Sequence, residues 1–171
     1  MPTSYQAPMR QDRQAESSKS QTVSISRADP GVSDVLADKN GDVFSVRPEQ
    51  KIRSAVEILR DKRIGALVVT GDEGALVGIL SERDIVRKLA EMPGETLPLT
   101  VHSVMTKDVE TCSSSDSLVS VLQRMTDGRY RHMPVVEKGR LVGMVTIGDV
   151  VNYRLRQLEQ EALQLKQLIV G

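Results

Sequence analysis

The feature that most limits how this chain can fold is an internal repeat. Displaced by 66 positions, Asp42–Thr70 falls on Asp108–Val136, and Ile52, Ala55, Val56 and Leu59 meet Leu118, Val121, Leu122 and Met125. Both sets follow i, i+3, i+4, i+7, the spacing of one apolar helix face. After the next turn the displacement falls to 65, because Asp72-Glu73-Gly74 is one residue longer than Lys138-Gly139. Leu76 to Asp84 then lies on Leu141 to Asp149, with the glycine, the hydroxyl and the aspartate in register. A strand, an amphipathic helix, two strands about a tight turn and a closing helix are therefore written twice. An α+β module of two such units sharing one core is the expected fold class.

Local signals place the elements. Val32–Lys39 reads as a short helix stopped near Asn40-Gly41, and Asp42–Val46 as a strand. Pro48 suits the first turn of a helix that runs to about Lys62. Ile64–Thr70 and Ala75–Leu80 read as strands, followed by a helix over Glu82–Glu91 that Pro93-Gly94 stops. In the second copy Met133–Val136 and Leu141–Val145 are strands around Lys138-Gly139, and Thr146-x-x-Asp149 opens the closing helix. The expected divisions are a polar mobile tail over 1–31, repeats over 32–92 and 99–155, and a helical extension over 150–171. Within the tail, Thr22–Ile25 alternates and is compatible with a docked edge strand.

The last helix outruns the repeat. Val151, Leu155, Leu158, Ala162, Leu165 and Ile169 are spaced 4, 3, 4, 3, 4, an a/d seam suited to a second chain. Leu163 and Leu168 broaden that stripe, which leaves packing on the protein's own body as the alternative.

Composition removes several function classes. Lys+Arg and Asp+Glu number 23 each, and aromatics are 2% with no Trp, so neither nucleic acid nor a membrane surface is an expected partner. No apolar stretch approaches the ~18 residues of a membrane span. Met1–Gln6 lacks an apolar signal region, so a cytoplasmic location is expected. Cys112 is the single cysteine and reads as a small apolar core residue at a strand end. No nucleophile elbow, phosphate loop, dinucleotide fingerprint or zinc spacing is present, so no enzyme activity and no metal requirement are expected.

The chemistry that remains lies at Ser81-x-x-Asp84 and Thr146-x-x-Asp149. A helix N-terminus presents free N–H groups and a positive dipole end, and a Ser or Thr hydroxyl there can donate to phosphate. A carboxylate only accepts, which suits the paired hydroxyls of a ribose. The same spacing is also a capping box, and spacing alone favours the cap. Ser113-Ser114-Ser115-Asp116 is most simply a helix cap.

The pattern V-x-[ST]-h, amphipathic helix, h-h-V-V, Gly turn, L-V-G-h-h-[ST]-x-x-D and closing helix resembles the CBS domain over residues 33 to 155. Two copies resemble a stand-alone CBS pair, or Bateman module, in which β-α-β-β-α units pack about a pseudo-two-fold axis. The resemblance implies a regulatory module that senses an adenine nucleotide, AMP first and ATP, ADP or NAD as alternatives. It implies signalling by conformational or oligomeric change to an effector protein, from a homodimer built on the module and the last helix. A constitutive dimerisation or scaffold module is the rival reading. By the same likeness, one site uses Thr146 and Asp149 with Met144 beneath the base and Ile64, Gly65 and Val43 beside it. The other uses Ser81 and Asp84 with Ile79 on the base, and Lys107, Val109 and Tyr130 on the far side. Arg131 and His132 are implied phosphate contacts, with Arg83 compensating for Gly65-Ala66 in the first repeat. Gly78 and Gly143 would allow close backbone approach or mark a strand irregularity. The lead-in Leu36–Lys39 departs from the pattern by two or three extra residues.

Overall fold

A computed structural model describes residues 29–39 and 41–170. The tail over 1–28, with Thr22–Ile25, lies outside the described residues. Pro30 and Gly31 fall inside them and are docked: Pro30 is buried, its carbonyl accepts the Leu118 N–H at 3.0 Å, and Gly31 bridges to Ser117.

The first repeat contains α1 (Val32–Asp38), β1 (Ser45–Val46), α2 (Ile52–Lys62), β2 (Ala66–Thr70), β3 (Leu76–Ser81) and α3 (Glu82–Glu91). The second contains α4 (Val101–Val104), α5 (Leu118–Gly128), β4 (His132–Glu137), β5 (Arg140–Thr146) and α6 (Ile147–Val170). The repeat is visible in the details. Helices α2 and α5 both end on an arginine in the left-handed region, Arg63 at φ 53° and Arg129 at φ 56°. The hairpins β2–β3 and β4–β5 are antiparallel, and each shifts register beside its glycine, leaving Val77 between Leu76 and Gly78, and Val142 between Leu141 and Gly143, unpaired. Where β1 runs parallel to β2, Cys112 bridges in parallel to Val135. Pro48 lies in a turn ahead of α2, which starts at Ile52 with Lys51 as its N-cap. Ser117, whose side chain accepts from the Ser120 N–H, caps α5. Ser113 and Asp116 instead close a loop that Arg124 clamps by an ion pair of 2.7 Å to Asp116.

Each repeat has its own buried cluster. Ile52, Ala55, Leu59, Leu67, Val69 and Leu80 form one, and Leu118, Val121, Met125, Met133, Val135 and Val145 the other. Full burial of a side chain of this size stabilises by roughly 1.5–3 kcal/mol. Cys112 belongs to the second cluster, and burial pushes its thiol up to about 11, with Asp116 adding to the shift and Arg124 opposing it.

The lead-in segments are exchanged between repeats. Thr106, which enters the second repeat, pairs by both backbone bonds (2.9 Å each) with Ile79 on β3 of the first. Leu36, which enters the first repeat, packs on Gly143 of β5 in the second. This exchange places residues of both repeats beside each helix N-terminus.

Beyond residue 156, α6 runs with its apolar residues in solvent: Leu158, Leu165 and Ile169 are 54%, 60% and 83% exposed. Among the described residues, none covers that seam.

Candidate functional site

Strand β3 delivers Ser81 to the start of α3, and the capping box forms. The Asp84 N–H donates to Ser81 Oγ at 3.3 Å, while Asp84 Oδ2 accepts from the Ser81 N–H at 2.9 Å and its hydroxyl at 2.6 Å. Thr146 and Asp149 repeat the arrangement at 3.1 Å and 2.9 Å. The cap and a ligand-facing carboxylate are therefore compatible roles for the same side chain. The first N–H of each helix is fixed in the same way too, Glu82 to the Gly65 carbonyl and Ile147 to the Arg131 carbonyl, both at 2.9 Å.

A cavity of about 440 Å³ opens over the Ser81 cap, between the repeats. That volume is in the range of small-molecule sites. Ser81, Arg83 and Asp84 line one side, with Ile79 beneath, and Val109 and Tyr130 of the second repeat stand opposite. Arg131 and His132 also reach this cavity. Seven of the expected side chains and Ile79 thus converge here. Lys107 is exposed and does not line it, while Thr106 and Asp108 do. Gly65, expected at the Thr146 cleft, lines the Ser81 cavity instead. The His132 ring lies 3.2 Å from the place where a Gly65 Cβ would be.

Further groups in the wall were not singled out from sequence. Arg87 lies one turn after Arg83 on the same face of α3, a spacing the sequence did show. Arg129 contributes through its left-handed capping conformation, and its carbonyl accepts Arg83 Nη1 at 2.8 Å, tying the two repeats across the rim. Glu82, Asp108 and Glu110 add carboxylates, so the wall carries both signs of charge. Burial lowers the His132 ring below its ordinary value, as do Lys39 and Arg131, while Asp149 opposes them. Burial and Glu110 raise the Tyr130 phenol, so it stays a neutral hydroxyl across the physiological range.

The Thr146 cleft differs. Lys39 Nζ donates to Asp149 Oδ2 at 2.8 Å and to the Met144 carbonyl at 3.1 Å. Burial pushes the Asp149 carboxyl up, but Lys39 and the Thr146 N–H outweigh it and hold the group below the usual carboxylate range. Ile64 packs against the core of the first repeat, and Val43 is half-buried beside Phe44 of that same cluster. Among the described residues, no group of three or more His, Cys, Asp or Glu side chains is placed to hold a metal ion.

Two fused β-α-β-β-α repeats with a ligand-sized cleft at their junction define a tandem binding module. A model of the CBS domain family matches residues 32–91 and again 101–156, and this chain belongs to that family. It is 32% identical over 148 residues to the mitochondrial CBS domain-containing protein CBSX3 of Arabidopsis thaliana, covering 82% of this chain and 72% of the relative. A CBS-domain containing protein from Agrobacterium tumefaciens superposes with a TM-score of 0.71 at 40% identity, over 75% of this chain and 96% of that one. The CBS domain pair of protein MJ0100, solved with 5-methylthioadenosine and S-adenosyl-L-methionine, superposes with a TM-score of 0.67 at 25% identity, over 75% and 98% of the two chains.

Proposed function

We propose that this chain is a regulatory module that binds an adenine nucleotide in the Ser81 cavity and passes the binding event to another protein. The observation that carries this reading is the convergence at one cavity of three kinds of group. The Ser81 hydroxyl and Asp84 carboxylate suit a ribose and its phosphate. Arg83, Arg87 and Arg131 offer planar guanidinium forks for phosphate. Ile79, Val109 and Tyr130 form an apolar wall for a base. The adenosine ligands of the MJ0100 pair support the ligand class. AMP is the first choice, with ADP, ATP and NAD as alternatives and no metal needed. The module acts by binding and not by catalysis, in the cytoplasm, without nucleic acid or membrane as partner.

Signalling follows from linkage: a ligand that prefers one arrangement of the repeats shifts the population towards it. Arg83, tied to Arg129 of the other repeat, lies on that route. The test is a thermal-shift panel of AMP, ADP, ATP, NAD and S-adenosylmethionine against GMP. A ligand at ~100 times its dissociation constant stabilises by about 2.7 kcal/mol, or roughly 5–10 °C for a chain of this size. A shift confined to adenine compounds is expected, and a flat panel would discard the nucleotide reading.

The exposed α6 seam supports a homodimer through the module and this helix, and it also favours a second reading, a constitutive scaffold that needs no ligand. Sedimentation equilibrium should show a dimer that Leu165→Glu weakens strongly. A full-length chain that sediments as a monomer would remove the dimer. A dimer indifferent to every nucleotide would favour the scaffold.

A further inference from the structure

We propose that Lys39 is a built-in occupant of the Thr146 cleft, so that each chain takes a single nucleotide, at Ser81 and Asp84. The inference rests on the nucleotide reading above and adds the number of sites and what closes the second.

The two clefts begin alike, since both aspartates cap a helix within the same distances. They diverge in what meets the carboxylate. Every hydrogen bond made to Asp84 among the described residues comes from Ser81. Asp149 meets an ammonium at 2.8 Å, and the ion pair is half-sheltered, its side chains 34% and 25% exposed. An ammonium supplies to a carboxylate the donors that a ribose diol would supply, and adds the attraction of opposite charge. Its second bond, to the Met144 carbonyl at 3.1 Å, falls on the residue equivalent to Ile79. At Ile79 the carbonyl instead accepts the Thr106 N–H.

The chain itself explains how the ammonium gets there. Leu36 packs on Gly143 as Met105 packs on Gly78, which makes Leu36 and Met105 equivalent, 69 positions apart. Asp42 and Asp108 are equivalent at 66, so the first lead-in holds three more residues than the second. Lys39 lies in that longer segment. It is also held on its N-terminal side: Leu36 touches the Gly143 position and Asp38 pairs with Arg156 of α6 at 3.3 Å. Lys39 is therefore a placed side chain on an anchored segment, not the end of a free arm.

The test is isothermal titration of the full chain and of Lys39→Ala with AMP, ATP and S-adenosylmethionine as probes. The parent is expected to bind one equivalent per chain. Lys39→Ala is expected to bind two, and the retained site at Ser81 shows the variant to be folded. Adding Asp84→Asn to Lys39→Ala should return the count to one, now at the Thr146 cleft. Two equivalents in the parent, or one in Lys39→Ala, would overturn the inference and leave the nucleotide reading standing. No heat from any probe with either chain would overturn both.

Discussion

The clefts at Asp84 and Asp149 share a strand, a glycine, a hydroxyl, a carboxylate and a helix N-terminus, yet only the first is bordered by the 440 Å³ cavity described here. The second holds a lysine. The difference does not come from the motif. It comes from the length of a lead-in segment far away in sequence, exchanged across the repeat boundary. On the nucleotide reading proposed above, the motif in each repeat sets where a ribose would be held, and the lead-in of the other repeat decides whether that place is free.

The largest effect that should separate the two halves is a methyl group at the paired glycines. A Cβ on Gly78 would lie 2.6 Å from Met105 Sδ and 3.0 Å from the Thr106 carbonyl. Thr106 cannot yield without breaking its two backbone bonds to Ile79. On Gly143 the Cβ would meet Leu36 Cδ2 at 2.8 Å, the tip of a side chain that can turn aside. Overpacking of this kind costs about 1–3 kcal/mol. Gly78→Ala is expected at the top of that range and Gly143→Ala below it. At roughly 2–4 °C per kcal/mol, calorimetric melting temperatures resolve the pair. Equal losses would show that the two lead-ins are held equally firmly, against the asymmetry drawn above.

The repeat, its helix faces and both caps were legible in the sequence because each depends on residues a few positions apart. Ser81 and Asp84, or Thr146 and Asp149, need only one turn of helix to meet. Arg87 is equally legible in its spacing, four residues after Arg83, but carries no motif of its own. Gly65 lines the Ser81 cavity beside His132, a placement set by how the two hairpins meet, which no local period records. Lys39 was beyond reach for a stronger reason. Three extra residues in an aperiodic stretch say that a segment is longer, but where its side chains arrive depends on Leu36 finding Gly143 more than a hundred positions away. The α6 seam was legible as a pattern, while its exposure among the described residues emerged only from the fold.

His132 offers a finer probe of the same asymmetry, since it lines the Ser81 cavity and also feels the Lys39–Asp149 pair. Burial, Lys39 and Arg131 hold its ring below the ordinary value, with Asp149 opposing. The unfolded chain takes up the proton first, at about pH 6.5. The neutral ring therefore contributes stability that is fully present above about pH 6.5 and is lost as pH falls from there towards the folded value. The Asp149 carboxyl, held low, has the same sign in a more acid window: its contribution is present above the ordinary carboxylate range and is lost as pH falls through the folded value. Removing Lys39 takes away a repelling charge and frees Asp149 to attract the imidazolium, so Lys39→Ala should raise the His132 titration point and flatten the loss of stability between pH 7 and pH 5. Proton NMR of the ring, assigned with His132→Gln, reads the titration, and chemical denaturation across that range reads the stability. A His132 that titrates at the same pH with and without Lys39 would mean that the ammonium is not where its 2.8 Å bond to Asp149 puts it, and the closed second cleft would lose its main support.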